Sequence, residues 1–214
     1  MSTSPALTGQ VVVVIGGSSG IGRQTAHLAR DEGADIILTG RDPERLEHAA
    51  AELGALSTSA FDATDPAALR RFFTGLPGQI DHVMVTAGRQ YYAPLAEIDF
   101  EAARRNLDEH LLLPLQIGRD AAGRVRPGGT LIFMTGTGAR RRGPGMAIAG
   151  IASAAVPAIA ANLAVEIAPV RVNLIAAGVV GPDDVAALAV HLMTNTAVTG
   201  ATYDIDGGEQ LVAG

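Results

Sequence analysis

The stretch Gly16-Gly17-Ser18-Ser19-Gly20-Ile21-Gly22 lies between an apolar run, Val11 to Ile15, and a helical pattern. A continuous apolar run of this length is typical of a parallel strand that is buried on both faces. Glycines allow a tight turn and a close approach of the backbone to a phosphate, and a helix start adds free N–H groups and the positive end of its dipole. The stretch therefore predicts a pyrophosphate-binding turn. The alternative is a glycine-rich turn without a ligand.

Short β-branched runs alternate with helical patterns along the chain, which is typical of an α/β fold. Two helix starts are marked by an aspartate followed by a proline, at Asp42-Pro43 and Asp65-Pro66. Strands are also predicted at residues 35–39, 82–86, 130–134, 170–175 and 201–205, and helices at 21–33, 100–123, 146–168 and 183–193. Residues 1–214 are thus predicted to form one domain, a Rossmann-like doubly wound parallel sheet of about seven strands with helices on both faces.

The composition excludes several kinds of chemistry. The 214 residues include 16 basic residues, all of them arginine, and no cysteine. The lack of lysine excludes Schiff-base enzymes and P-loop NTPases, and the lack of cysteine excludes thiolate catalysis and cysteine-based zinc sites. We identify no metal site. A net charge of −6 argues against nucleic-acid binding. No apolar run approaches the roughly 20 residues that a membrane span needs, so we expect no membrane association and a cytoplasmic protein.

The spacing Gly16-x-x-x-Gly20-x-Gly22 resembles the short-chain dehydrogenase/reductase family, and the resemblance covers nearly the whole chain. Five further segments match that family in order: Asp62, Thr86-Ala87-Gly88, Asn106, Arg171-Val172-Asn173 and Asp206-Gly207-Gly208. The resemblance implies a dinucleotide cofactor, with Asp62 beside its adenine. The implied cofactor-binding residues are Gly16, Ser18, Ser19, Gly20, Ile21, Gly22, Arg41, Asp62, Ala63, Ala87, Gly88, Gly178 and Val180.

The end of the second predicted strand bears on which dinucleotide is bound. NAD sites place a carboxylate there for the ribose 2′-hydroxyl, whereas NADP sites need a cation for the 2′-phosphate. Thr39-Gly40-Arg41 offers a guanidinium and no carboxylate, so NADP(H) is favoured over NAD(H). The alternative is that Arg41 is a surface residue, partly neutralised by Asp42.

The catalytic pattern of the family is missing. Members of the family that this chain resembles carry a tyrosine and a lysine four residues apart on the fifth helix. There the lysine lowers the pKa of the tyrosine and binds the ribose. Counting back from residues 164–173 places Ala149 and Ser153 at these two positions, and neither can do that work. The serine position of the family falls on Gly136, next to Thr135, whose hydroxyl could polarise a carbonyl. Asn106 is the one matching member of the family's four catalytic positions.

Other side chains could replace the missing pair. Tyr91 and Tyr92 lie in a loop expected at the carboxyl edge of the sheet, and either phenol is a candidate proton donor. The arginines at 140, 141 and 142 could lower the pKa of such a phenol. The simpler interpretation is that the tyrosines cover the edge of the core and that the arginine run is solvated. His110 is taken as structural.

Two features bear on substrate and assembly. The family's substrate lid, which would follow Val180, is essentially absent, because Gly181 to Asp184 lead at once into a helix. The predicted helix at 146–168 is mostly alanine, isoleucine and valine, so it must be buried on more than one side. By resemblance, we expect a homodimer or homotetramer through the helices at 100–123 and 146–168.

The leading interpretation is an NADP(H)-binding oxidoreductase homologue with an atypical active site and an unknown small-molecule substrate. By resemblance its reaction is the oxidoreduction of carbonyls and alcohols. The alternative is a non-catalytic NADP(H)-binding regulatory or partner subunit. A scaffold that has lost nucleotide binding is less consistent with Gly16, Gly20 and Gly22.

Overall fold

Seven parallel strands form one sheet in the computed structural model, which describes residues 5–140 and 142–212. The spatial order is β3-β2-β1-β4-β5-β6-β7. The strands are β1 Val11–Ile15, β2 Asp35–Gly40, β3 Ser57–Ala60, β4 Ile80–Val85, β5 Val125–Gly136, β6 Arg171–Ala177 and β7 Thr202–Ile205. The chain winds outward from β1 in one direction to β3 and then in the other from β4. The doubly wound α/β fold expected from the sequence is confirmed, and its switch point lies between β1 and β4.

Helices cover both faces of this sheet. They are α1 Gly20–Asp31, α2 Pro43–Leu53, α3 Pro66–Gly75, α4 Phe100–Leu107, α5 Leu113–Ala121, α6 Ala147–Glu166, α7 Pro182–Thr194 and the short α8 Glu209–Val212. Alternate strand residues face opposite layers, so that Val13 packs in the core beneath α3, α5 and α6, while Val12 and Val14 pack beneath α1, α2 and α7. Two apolar cores therefore hold the sheet rigid at the edge where a ligand would bind.

Aspartate caps begin α2 and α3 as predicted. The carboxylate of Asp42 accepts a hydrogen bond from the Arg45 N–H at 3.1 Å. That of Asp65 accepts from the N–H groups of Ala67 and Ala68 at 2.9 and 3.2 Å. In both helices a proline occupies the first position, where no N–H is needed.

The single helix predicted at 100–123 is wrong in detail, because it divides into α4, a π-helical turn at Asp108–Leu112 and α5. Pro114 supplies the physical reason. It has no N–H to donate to the carbonyl of His110, and its ring would press against that carbonyl in a regular helix. The wider π turn relieves this conflict and redirects the side chains that follow Asn106.

Helix α6 corrects a second expectation, since its 20 residues are long and apolar enough to cross a membrane by length and composition. This test is weak, because core helices of soluble proteins also pass it. One face of α6 packs against the sheet in this structure, and Val156, Ala160 and Leu163 belong to the same core as Phe133 of β5.

The segment Arg171-Val172-Asn173 begins β6 and ties it to the end of α7. The buried guanidinium of Arg171 donates hydrogen bonds to five backbone carbonyls, those of Gly128, Leu192, Met193, Asn195 and Val198, at 2.8 to 3.3 Å. Burial lowers the pKa of this guanidinium. The segment therefore has a structural role on the β6 side of the sheet.

Candidate functional site

The turn after β1 is closed by an approach that only glycine permits. A Cβ on Gly22 would overlap the carbonyl oxygen of Gly16 and lie 2.6 Å from the hydroxyl oxygen of Thr86. A Cβ on Gly16 would lie 2.7 Å from the same hydroxyl, and the φ of Gly16, 96°, is itself in the region that favours glycine. The Thr86 hydroxyl donates to the carbonyls of Ile15 and Gly16 at 3.3 and 3.1 Å. The residues that follow β1 and β4 are thus in direct contact with the first turn of α1.

The turn between β1 and α1 leaves hydrogen-bond donors available at the N-terminus of α1. The N–H groups of Gly16 and Gly17 donate to the Thr39 carbonyl at 3.1 and 2.9 Å, which fixes the turn against β2. Ser19 is the N-cap of α1, yet its hydroxyl makes no capping hydrogen bond. That hydroxyl and the first N–H groups of α1 are therefore available to an anion at the helix N-terminus.

A cleft of about 280 Å³ lies at this edge of the sheet, over the switch point. Eight predicted cofactor-binding residues line it: Gly16, Ser18, Ser19, Arg41, Asp62, Ala63, Ala87 and Gly88. The other five of the thirteen are outside this lining: Gly20, Ile21, Gly22, Gly178 and Val180. Gly20 begins α1 and has a φ of 53°. A larger groove of about 710 Å³ runs between α3 and α5, but it lacks the strand ends and the glycine turn. The small cleft has the size and placement of the adenosine half of a dinucleotide site.

Two arginines supply positive charge to the cleft. Arg41 directly follows β2, and Arg45 lies in the first turn of α2. Asp42 lies 3.8 Å from the Arg45 guanidinium and caps α2 with its other oxygen, so it partly neutralises Arg45 rather than Arg41. Arg41 is exposed at the mouth of the cleft, where its guanidinium can reach a phosphate.

Asp62 is held as a carboxylate at the adenosine end. Its Oδ1 accepts from the N–H of Thr64 at 3.0 Å and from the Thr64 hydroxyl at 2.8 Å. These hydrogen bonds, chiefly the one from the N–H group, together with the charge of Arg41, lower the pKa of Asp62 below its ordinary value. One oxygen of Asp62 is thus occupied by the protein's own loop.

Gly178 and Val180 lie after β6, toward the expected nicotinamide end. A Cβ on Gly178 would lie 2.5 Å from the Cβ of Asp206, so this glycine allows the loop after β7 to pass close by. Only residues 178–181 separate β6 from α7. Four residues are too few to form the family's substrate lid, in agreement with the sequence analysis.

Ala149 and Ser153, which are predicted to stand at the family's tyrosine and lysine positions, are buried. Ala149 is 1% exposed and Ser153 is 3% exposed, and the Ser153 hydroxyl has no hydrogen-bond partner among the described residues. A Cβ on Gly136 would lie 3.5 Å from Nε2 of Gln90, so the side-chain amide of Gln90 borders the serine position of the family. That Ala149 and Ser153 replace the family's tyrosine and lysine stays a prediction.

Asn106 and Thr135 are buried at the same end of one core. The side-chain amide of Asn106 donates to the Arg89 carbonyl, while its Oδ1 and the hydroxyl of Thr135 lack partners within residues 5–140 and 142–212. Thr135 and Phe133 lie on the same face of β5. Ser153 lies about one turn before Val156 on α6. Phe133 and Val156 belong to the same apolar core. Buried polar atoms are normally hydrogen-bonded, so Oδ1 of Asn106 and the hydroxyls of Thr135 and Ser153 are exceptions among the described residues.

The two candidate proton donors, Tyr91 and Tyr92, differ in burial and in hydrogen bonding. The Tyr91 hydroxyl oxygen accepts a hydrogen bond from the Asp99 N–H at 2.9 Å, which ties this half-buried ring to the start of α4. Tyr92 is 60% exposed. Arg140 forms an ion pair with Asp204 at 2.6 Å, and Arg141 lies outside the described residues. The catalytic roles of Tyr91, Tyr92, Asn106 and Thr135 stay predictions.

Five residues of the cleft were not singled out from the sequence: Arg45, Phe61, Thr64, Arg89 and Glu109. Arg45 lies three residues after Asp42, a spacing that places both on one side of a helix start, so this residue could have been found. Glu109 could not, because its direction depends on the π turn.

The site and fold together define a dinucleotide-binding α/β protein of the Rossmann type, and comparisons with known proteins identify its family. A family model described as enoyl-(acyl carrier protein) reductase matches residues 15–181. The short-chain dehydrogenase/reductase ATR9 of Stachybotrys chlorohalonatus is 27% identical, over 95% of this chain and 98% of its own. The oxidoreductase asL5 of Sarocladium schorii is 30% identical, over 77% of this chain and 68% of its own. The chain belongs to the short-chain dehydrogenase/reductase family of oxidoreductases.

A solved structure confirms the fold. BdcA in complex with NADPH superimposes with a TM-score of 0.88 over 94% of this chain and 95% of that one, at 23% identity. At this identity the likeness is one of fold.

The closure around Gly22 leads to a first prediction. Gly22→Ala forces its new methyl group into the Gly16 carbonyl and the Thr86 hydroxyl, so the turn must open. We expect dinucleotide affinity to fall by about a hundredfold or more, since misplaced backbone donors lose several charge-assisted hydrogen bonds. Isothermal titration calorimetry measures this loss. Gly75→Ala is the matched control, because a Cβ there meets no atom within 4 Å. Equal affinity in both variants would contradict the role assigned to the turn.

Proposed function

We propose that the chain is an NADP(H)-binding oxidoreductase homologue with an atypical active site, in which oxidoreduction of carbonyls and alcohols is weak or absent. The observation that carries the NADP(H) preference is Arg41, which lines the adenosine half of the cleft directly after β2. Gly40 ends that strand where an NAD site would place a carboxylate. A planar guanidinium suits a phosphate because it can donate two parallel hydrogen bonds.

Two further observations support this preference. Arg45 adds a second guanidinium to the same end of the cleft, and the Asp42 carboxylate is occupied by Arg45 and the helix cap. The structural neighbour BdcA is described in complex with NADPH. The net charge near the 2′ position therefore favours a phosphate.

Titration of the purified protein with NADPH and NADH tests the proposal. We expect NADPH to bind at least about tenfold more tightly, because one charge-assisted hydrogen bond contributes about 1.5–3 kcal/mol. Arg41→Ala should remove most of this difference while changing the NADH affinity by less than about threefold. Arg104→Ala is the control, since Arg104 pairs with Glu101 on α4, away from the cleft. Equal losses for NADPH and NADH in Arg41→Ala would show that the 2′-phosphate assignment is wrong.

A second candidate function is a non-catalytic NADP(H)-binding regulatory or partner subunit. The specific observation in its favour is the buried methyl group of Ala149 together with the unpartnered hydroxyl of Ser153. Neither side chain can supply a proton and a neighbouring positive charge to a substrate at neutral pH. The cofactor turn, in contrast, keeps the glycines that its geometry requires.

A turnover screen separates the two candidates. With carbonyl compounds and quinones as substrates, we expect slow NADPH oxidation that falls about a hundredfold in Tyr91→Phe or Tyr92→Phe, because general acid catalysis contributes about this much. NADPH affinity should be unchanged in both variants. Turnover that survives both substitutions would exclude the phenols as proton donors. Binding of NADPH without turnover by the unaltered protein would favour the subunit.

We further propose a homodimer or homotetramer formed through α4, α5 and α6. Large apolar side chains are exposed along this part of the chain, at Phe100, Leu112, Leu115, Ile151 and Val165. Exposed apolar side chains gain free energy when a second subunit covers them, which supports an interface on these helices. The absence of membrane and nucleic-acid partners and the cytoplasmic location stay predictions.

Sedimentation velocity tests this assembly. We expect a dimer or tetramer at micromolar concentration and a shift toward monomer in Ile151→Asp, because a charge would be buried without a partner in the interface. Leu56→Asp is the control, since Leu56 is similarly exposed but precedes β3 on another part of the surface. The circular dichroism spectrum should be unchanged in both. A monomer before substitution would contradict the proposal.

A further inference from the structure

The groove between α3 and α5 lies outside the dinucleotide cleft and differs from the rest of the chain in charge. Its volume is about 710 Å³. Its charged lining consists of Arg70 and Arg71 of α3 and Arg119 of α5, and among the described residues no carboxylate lines it. The whole chain, in contrast, has a net charge of −6. Small-molecule pockets commonly measure about 300–1,000 Å³. The α3–α5 groove therefore has the volume and the charge of a site for a small anionic molecule.

One buried carboxylate orients two of these arginines. The side chain of Asp120 is 6% exposed, and its oxygens accept from Nε and Nη2 of Arg119 at 2.8 and 3.2 Å. Nε of Arg70 lies 3.7 Å from the same carboxylate, so the ion pair reaches from α5 to α3. A guanidinium has five N–H donors, so Asp120 leaves donors available on both arginines. The two guanidiniums are thus held beside each other before any ligand binds.

A second connection fixes the far end of α3. The guanidinium of Arg124, which directly precedes β5, donates to the carbonyls of Thr74 and Leu76 at 2.7 and 3.5 Å. Thr74 lines the groove near the end of α3. The helix is therefore joined to α5 and to the segment after it at two points. A groove that is formed in this way needs little reordering when a ligand binds, which favours affinity.

Arg71 is the uncommitted member of the three arginines. It is exposed, and within the part of the chain that the structure describes it makes no hydrogen bond or ion pair. Because Asp120 sets one negative charge against three guanidiniums, two positive charges of the groove have no counter-charge. Guanidiniums around one groove repel one another, and a dianion bound among them would replace this repulsion by attraction.

Phosphate chemistry suits these donors. A phosphate monoester carries a charge of about −1.5 to −2 at pH 7, and its oxygens match the planar fork of a guanidinium. Pro66 and Ala67 add apolar surface to the groove at the start of α3. We propose that the α3–α5 groove binds a small organic phosphate, with Arg71 and Arg119 donating to the phosphate oxygens and the apolar surface against the carbon skeleton. The groove and the adenosine cleft share no lining residue, so this site is a second one.

Fluorescence titration with naphthyl phosphate tests the proposal, because this probe combines a phosphate dianion with an apolar ring system. We expect the unaltered protein to bind it with a dissociation constant below about 1 mM, and at least about tenfold more tightly than naphthol, which lacks the charge. Arg71→Gln should weaken naphthyl phosphate by about tenfold and leave naphthol unchanged, since a hydrogen bond between charged groups is lost. Arg104→Gln removes an exposed arginine of α4 and is the matched control, which should keep the full affinity.

Four results would overturn the proposal, each for its own reason. Equal losses in Arg71→Gln and Arg104→Gln would mean that the probe responds only to net charge. A loss in Arg41→Gln without one in Arg71→Gln would place the probe in the adenosine cleft. A shift of Arg71→Gln toward monomer in sedimentation velocity would make the groove a contact between subunits. An unaltered protein that does not bind naphthyl phosphate would have no organic-phosphate site in this groove.

Discussion

The close approach of α1, the β1 turn and the end of β4 is the constraint on which the site depends. Gly22 fits only because its missing side chain leaves room for the Gly16 carbonyl and the Thr86 hydroxyl. The two hydrogen bonds from that hydroxyl keep β1 and β4 in register at the switch point. This closure aims the N-terminus of α1 into the cleft, and it sets Ala87 and Gly88 opposite Arg41 and Asp62. The ligand-binding geometry therefore follows from backbone contacts more than from the chemistry of any one side chain.

Much of this could be predicted from the sequence, because it depends on local signals. An apolar run followed by glycines, and aspartate–proline pairs at helix starts, act over a few residues, and the confirmed elements are of this kind. The doubly wound sheet followed from their alternation. Of the candidate cofactor residues, those directly after β1, β2, β3 and β4 line the cleft, since parallel strands bring their carboxyl ends to one edge.

What could not be predicted depends on longer-range geometry. The π turn arises from Pro114 acting on the turn before it, and Glu109 lines the cleft as a result. The sequence offers Tyr91 as a candidate proton donor without showing its contacts. In the structure its hydroxyl oxygen accepts a hydrogen bond from the N–H of Asp99, the N-cap of α4. The expectation that no apolar run approaches the length of a membrane span is wrong for α6, whose 20 residues are long and apolar enough by length and composition.

The absence of lysine takes on a specific meaning in this structure. The cleft is lined by glycine backbone, hydroxyl groups, three carboxylates and arginines, and none of these groups needs a lysine beside it. The residues predicted to stand at the family's tyrosine and lysine positions, Ala149 and Ser153, are buried on α6. Replacement of lysine by arginine through genome bias would have kept a cation at position 153. Position 153 instead carries a neutral serine, whose buried hydroxyl has no hydrogen-bond partner among the described residues. Because the cleft is lined by the ends of β1 to β4, whereas Ala149 and Ser153 belong to α6, the predicted loss of the tyrosine–lysine pair would leave the contacts of the cleft unchanged.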